Sequence, residues 1–267
     1  MPRSRVPQVE FRRSLLHTIL HGLSYVSLAE EYEGFDPWVY ATRAAMSSDL
    51  RRRVDLLFNP FAVMLLLHKL QTSLPQIDNL ATGIRWISEI KDSIILEANH
   101  RALQQLADAV HIDPTAVPPP LLEDETSVRP ILETLEGAGA IGAGCAAELA
   151  KLLSSPGDLK AEIVLLTMRF WDRHMRSEYG PCREIEEQSI RHYGEHQFAG
   201  SPEQIFAEIT GRAYPNLAPP TDHVRVMIFF PSCHCGPYVS VSDVHGDGST
   251  LAVTYNPLFS SLVDEEQ

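Results

Sequence analysis

An α+β fold is predicted: a multi-helix body with a small three- or four-stranded antiparallel sheet formed mainly by the C-terminal segment. Three observations point there. Apolar residues recur at helical spacing through most of the chain before Thr221. Within Val224–Tyr255 (VRVMIFFPSCHCGPYVSVSDVHGDGSTLAVTY), short β-branched and aromatic runs are bounded by a Pro-Ser-Cys-His-Cys-Gly-Pro turn and a Gly-Asp-Gly turn, the pattern of hairpin-linked strands. A lone three-stranded meander is marginal in water, so helices are expected to cover one of its faces.

Taken in order, Arg5–Phe11 is short and extended, and Pro7 suits only an edge strand, so it is added as a fourth strand. Ser14 caps a helix with Leu15, Leu16, Ile19, Leu20 and Leu23 on one face. Trp38–Phe58 reads as a second helix, Asn59-Pro60 as a break, and a third apolar helix runs through Leu70. From Ile77 to Val110 the period is helical, with a break expected near Asp92-Ser93. Residues 111–120 (HIDPTAVPPP) hold four prolines and form the clearest linker. The helical body thus divides into a first half, 1–110, and a second half, 121–212.

In that second half, short helices at Leu121–Leu135 and Cys145–Leu153 flank the small-residue stretch Gly137–Gly144. That stretch is not a phosphate loop, since no Lys-Ser/Thr follows its last glycine and no strand leads into it. Leu159–Tyr179 is a strong helix expected to stop at Gly180-Pro181, with another running to Phe198. Ser201-Pro202-Glu203-Gln204 is a capping box with proline at the first helical position, and that helix ends at Gly211. The strand segment occupies 221–257.

Composition narrows the classes. The 267 residues are 44% apolar, 21% charged and 8% aromatic, enough for one large domain or two small ones. With 35 acidic against 22 basic residues the net charge is −13, which suits the chain poorly to gripping a phosphate backbone by itself. The basic run Arg51–Arg53 lies between Asp49 and Asp55 and reads as a solvated helix face. Phe61–Leu67, the longest apolar run, is too short to cross a bilayer, and the basic N-terminus lacks the apolar core of a signal peptide. The cysteines, Cys145, Cys182, Cys233 and Cys235, match no disulfide framework, so a cytoplasmic protein without membrane contact is expected.

Cys233-His234-Cys235 is the sharpest candidate site. In an extended strand both thiols would share a face, with His234 opposite, and two thiolates can hold a soft ion such as Zn(II), Cu(I) or As(III). His245, Asp243 and Asp247 lie across the expected hairpin and could complete the shell. Gly236-Pro237 turns the chain at Cys235, which disturbs simple alternation. The competing reading makes both cysteines small buried hydrophobes at a strand end. The cofactor stays open, with a soft metal ion the one candidate.

His17 and His21, four apart on a helix, form a second locus. Thr-Ile-Leu separates them, with no glutamate to act as base, so a zinc-protease site is excluded and the pair reads as a ligand-pocket boundary or as core histidines. His174, Glu178, His192, Glu195 and His196 fall on two consecutive helices that could face each other around a metal. Their order, His192-x-x-Glu195, reverses the usual Glu-x-x-His, and a solvated face competes with the metal reading. The helical aromatics Trp38, Trp86, Phe170, Trp171 and Tyr179 suit either a core or a cavity lining. No nucleophile elbow, dinucleotide fingerprint or Cys-x-x-Cys is present.

The layout resembles a known family. A short extended start (Val9-Glu10-Phe11, then Ser14-Leu15-Leu16), a long helical body, and a strand running into Phe229-Phe230-Pro231-Ser232, His234 and Gly236-Pro237-Tyr238 are similar to the N-terminal region of a bacterial group of ArsR-type winged-helix transcription regulators. The resemblance implies a sensor and dimerisation region, binding a small ligand or metal and acting on DNA only through a winged helix. No winged-helix segment follows Tyr255, so DNA contact is expected from a segment outside this chain. The family's metal-binding cysteines lie on its winged helix and are not transferable to Cys233 and Cys235. The expected site set is Cys233, His234, Cys235, Tyr238 and His245, then His17 and His21, in a homodimer. Two other classes stay open: a metal-dependent enzyme using the helix-borne histidines and glutamates, and a non-catalytic interaction scaffold.

Overall fold

The computed structural model describes residues 6–58, 77–113, 124–216, 218–244 and 247–261, and its architecture is α+β. The sheet is mixed rather than antiparallel. Its order is β1 (Gln8–Phe11), β2 (Val226–Pro231), β4 (Thr250–Tyr255), β3 (Ser240–Asp243). β1 pairs parallel with β2, β2 parallel with β4, and β3 antiparallel with β4. The Gly-Asp-Gly hairpin therefore forms as expected. The turn over 231–237 closes no hairpin; it carries the chain past β4 to the far edge. A strand with a parallel neighbour on each side is buried on both faces and needs a continuous apolar run. VMIFFP is such a run, buried from Met227 onward, while the edge strands β1 and β3 are half-buried or exposed.

Period-two alternation then sorts the two faces. Met227, Phe229, Leu251, Val253 and Tyr255 pack with Tyr193, Ile205, Phe206 and Ile209, the contribution of two helices. Ile228, Phe230 and Ala252 point the other way, where Phe230 stacks on His17 with ring centroids 4.4 Å apart.

The helical body begins with α1 (Leu15–Leu28), buried on nearly every side. The single helix expected over 38–58 is two, α2 (Pro37–Ala45) and α3 (Ser48–Phe58). Met46 turns extended, and Ser47 Oγ accepts the Leu50 amide at 3.3 Å to restart the chain. α4 (Leu80–Glu89), capped by Asn79, and α5 (Asp92–Ala109) meet at Ile90-Lys91, beside the expected break. α6 (Glu125–Gly137) is capped by Asp124, and α7 (Ala146–Leu153) follows the glycine-rich turn. There the Glu136 carboxylate accepts the amides of Gly144 and Ala146 at 2.6 and 3.0 Å, helping to hold the turn. Residues from both sides of the 111–120 stretch, such as Leu103 and Leu132, share one core. The Phe61–Leu67 run, the helix expected through Leu70, most of the linker, and His245 lie outside the described residues.

α8 (Pro156–Phe170) runs into a π-helical turn at Trp171–Met175, closed by the Arg176 amide on the Trp171 carbonyl at 3.0 Å, and on to α9 (Tyr179–Gly194). The break expected at Gly180-Pro181 falls just before it, at the turn over 176–178. Both residues sit in the first turn of α9, where amides lack intrahelical acceptors and proline is tolerated. α10 (Pro202–Thr210) has its full capping box and ends on Gly211 at φ +66°, and α11 (Pro257–Ser261) closes the described chain. Among the described residues no helix is long and apolar enough to cross a membrane.

Candidate functional site

The turn after β2 is held from three sides. The Ser232 amide donates to the Tyr255 carbonyl at 2.8 Å, and Asn256 Nδ2 donates to the Cys233 carbonyl at 3.2 Å. Gly236 sits at φ +59° with its α-carbon against the backbone of Gly34 and Phe35, leaving no room for a side chain. The Tyr238 hydroxyl donates to the Glu33 carbonyl, and its ring packs on Phe35 at 5.0 Å. Residues 33–38 and 232–238 are thus pinned together, and this is what brings Asp36 to His234.

His234 is 2% exposed and occupies the centre. Its Nε2 lies 3.2 Å from Cys182 Sγ on α9, its Nδ1 lies 3.8 Å from Asp36 Oδ1, and Trp38 stacks on its face at 4.2 Å. The carboxylate also caps α2, accepting the Trp38 amide at 2.8 Å. At 3.8 Å the Asp36 contact is an ion pair and not a hydrogen bond, so the sulfur contact is the firmer of the two. Burial disfavours charge on the ring, but Asp36 and Cys182 outweigh it and lift His234 to about 9, while His234 holds Asp36 down. The Cys233 thiol stands beside Cys182 and donates to its carbonyl at 3.5 Å. The Cys233 hydrogen bond, and then His234, pull the Cys182 thiol below its ordinary value against the cost of burial, while the same pairing and burial push Cys233 up. The result is a buried sulfur–imidazole pair, its charged form favoured, stacked against an indole face.

Two acids flank it on the same face of α9. Glu178 Oε1 lies 3.7 Å from Cys182 Sγ, and the donor atoms of Glu178, Cys182 and His234 all lie within 4.8 Å of one another. Glu186, one turn beyond Cys182, is fully buried, and neither carboxyl oxygen finds a hydrogen bond among the described residues. Burial first, then the Cys182 charge, lifts its carboxyl to about 8. Below it the Ser189 hydroxyl meets the Tyr255 hydroxyl at 2.7 Å, tying α9 to β4.

The sequence candidates scatter around this centre. Cys233 and His234 belong to it. Cys235 does not share a face with Cys233, because the segment is a turn and not a strand; its thiol donates to the Ser232 carbonyl at 3.2 Å within the helical core. Tyr238 holds the loops together. Asp243 and Asp247 accept the amides of Gly248 and Ser249 at 2.7 and 2.9 Å and so build the hairpin turn. His17 and His21 are buried, with ring centroids 4.1 Å apart, and desolvation lowers both, His21 to about 3, so they are neutral. Their Nε2 atoms make no hydrogen bond among the described residues.

The pairing expected among His174, Glu178, His192, Glu195 and His196 does not occur. His174 lies in the π turn before α9 and His192 in the last turn of α9, at opposite ends of that segment. His192, Glu195 and His196 are exposed at the far end, where His196 faces Glu208 at 3.9 Å. Glu178 alone joins the centre. The helical aromatics pack on one another, Trp38 on Phe170 at 5.9 Å and Trp171 on Tyr179 at 5.5 Å. Sequence reasoning missed Cys182 and Glu186. The Glu-x3-Cys-x3-Glu spacing of 178, 182 and 186 puts one side chain per turn on a helix face, but a helix stop at Gly180-Pro181 hides it.

The class that fold and site define is an α+β chain with a buried sulfur–imidazole–carboxylate centre at the seam of helical body and sheet. No family model, curated protein or solved structure matches it.

Proposed function

We propose that this chain is the sensing and dimerisation region of a bacterial transcription regulator, taking a small ligand or metal and passing its state to a winged-helix domain. One observation carries the reading. The segment that bears the resemblance, 229–238, is a buried joint where the α1–α2 loop, α9 and the central strands β2 and β4 meet, and in it His234 meets Cys182 and Asp36 as titratable groups. A joint needed only for stability would be better served by apolar side chains of the same shape, because desolvating paired charges roughly cancels their attraction. Charges placed there make the geometry of the seam depend on what they bind, which is how a receiving domain reports occupancy.

Burial argues against catalysis by Cys182, although Cys182, His234 and Asp36 line up like a thiol nucleophile and its base. Cys182 is 3% exposed and His234 2%, so a substrate carbonyl cannot reach the sulfur in this conformation. The decisive experiment is selection of DNA from a random pool by the full-length gene product, with and without zinc and after thiol blocking. Enrichment of a discrete sequence that occupancy alters supports the reading, and light scattering should give a dimer. A gene product that selects no sequence under any condition overturns it.

A further inference from the structure

Sulfur, imidazole nitrogen and carboxylate oxygen converge at the start of α9. Cys182 Sγ lies 3.2 Å from His234 Nε2 and 3.7 Å from Glu178 Oε1. With metal–sulfur bonds of about 2.3 Å and metal–nitrogen or –oxygen bonds of about 2.0–2.2 Å, donors on a tetrahedral ion stand roughly 3.4–3.7 Å apart. The Cys182–Glu178 edge is therefore at coordination spacing already, and the Cys182–His234 edge is about 0.2 Å short of it. The third, bounded by 4.8 Å, closes with about 1 Å of movement by the half-buried Glu178 side chain.

A second observation points the same way. Glu186 is fully buried one turn further along the same face, with both carboxyl oxygens lacking hydrogen bonds among the described residues, and His234 Nδ1 lacks one too. The Arg13 guanidinium on that side is engaged by the Tyr179 hydroxyl, Asp78 and Glu187. Buried polar atoms beside the triad thus retain unused hydrogen-bonding capacity among the described residues.

We propose that Glu178, Cys182 and His234 bind a borderline-soft divalent cation of the zinc class, with Asp36 behind His234 as the orienting carboxylate. This rests on the sensing reading and names its effector. One sulfur, one nitrogen and one oxygen donor suit zinc or cobalt; calcium and magnesium take all-oxygen shells, and copper(I) favours more sulfur. Coordination through Nε2 leaves Nδ1–H turned to Asp36, the carboxylate–imidazole–metal order that fixes tautomer and ring orientation. The preceding π turn matters here, because such insertions rotate the helix face that follows and recur at functional sites.

The test is titration of the chelator-stripped chain with Co(II), followed by competition with Zn(II). One ion per chain is expected, with thiolate-to-cobalt charge transfer and the intense visible bands of four-coordinate cobalt. C182S should abolish the charge-transfer band, while C145S should leave it intact. D36N should weaken zinc binding about 10–100-fold, the range for orienting partners. If C182S fails to fold, E178Q carries the test from its half-buried position, and should weaken zinc at least tenfold with an unchanged circular dichroism spectrum. A folded chain that binds no stoichiometric metal, or a charge-transfer band that survives C182S, overturns the site. Zinc bound through Cys182 by a gene product that selects no DNA would leave the site standing and end the regulator reading. Sequence-selective DNA binding by a chain that takes no metal would do the reverse.

Discussion

Replacing Glu186 by glutamine tests the electrostatics of the seam most directly. In the folded chain the carboxyl is lifted to about 8, against an ordinary value of 4.5 that the unfolded chain regains. Between those limits the folded state holds one more proton than the unfolded state, so stability falls as pH rises through the window. Each pH unit is worth about 1.4 kcal/mol, so by pH 7 the accumulated loss is about 3 kcal/mol. E186Q keeps the shape, is neutral in both states and escapes that loss. Its stability should match the parent near pH 4.5 and exceed it by about 2–3 kcal/mol at pH 7, on the order of 5–10 °C in Tm for a chain of this size. Urea unfolding of both chains from pH 4.5 to 8, in chelator, gives the comparison. Titration of the other groups is common to both chains and largely cancels in the difference. Parallel curves across the window, or a less stable variant at pH 7, would refute the reasoning, because Glu186 would then be ionised and partnered.

His234 should titrate near 9 by ring-proton NMR; the stability it contributes is whole below its ordinary 6.5 and lost as pH rises through 9. A midpoint near 6.5 would mean that the ion pair with Cys182 does not form. G236A should cost about 3 kcal/mol or more in denaturant unfolding. It adds a left-handed alanine, worth about 1–2 kcal/mol alone, to a Cβ only 2.9 Å from Phe35 Cα and overlapping the Gly34 carbonyl. An unchanged midpoint would show that the two loops do not cross as described. H17F preserves the stack on Phe230 and removes a buried nitrogen without a hydrogen bond, so it should be neutral or stabilising by about 1 kcal/mol. A loss above about 2 kcal/mol would reveal a partner for Nε2 and revive His17 as a ligand residue.

Features set by neighbouring residues are legible in the sequence alone. The capping box at Ser201–Gln204, the left-handed Gly211 and the Gly-Asp-Gly hairpin depend on contacts a few residues long, and all three form. The helical body and the C-terminal position of the sheet follow from apolar periodicity, which is also local. The weight placed on Cys233 and His234 is legible for the same reason, since a strand ending in Pro-Ser-Cys-His-Cys-Gly-Pro must turn there. Strand partners are another matter. Gln8 pairs with Val226, more than two hundred residues away, and a period of two reports which faces are buried but not which strand lies alongside. Cys182 enters the centre only because packing far along the chain sets the start of α9 against the turn after β2, which brings Glu178 and Cys182 to His234. Local chemistry chose the elements and their ends; long-range packing chose which donors meet.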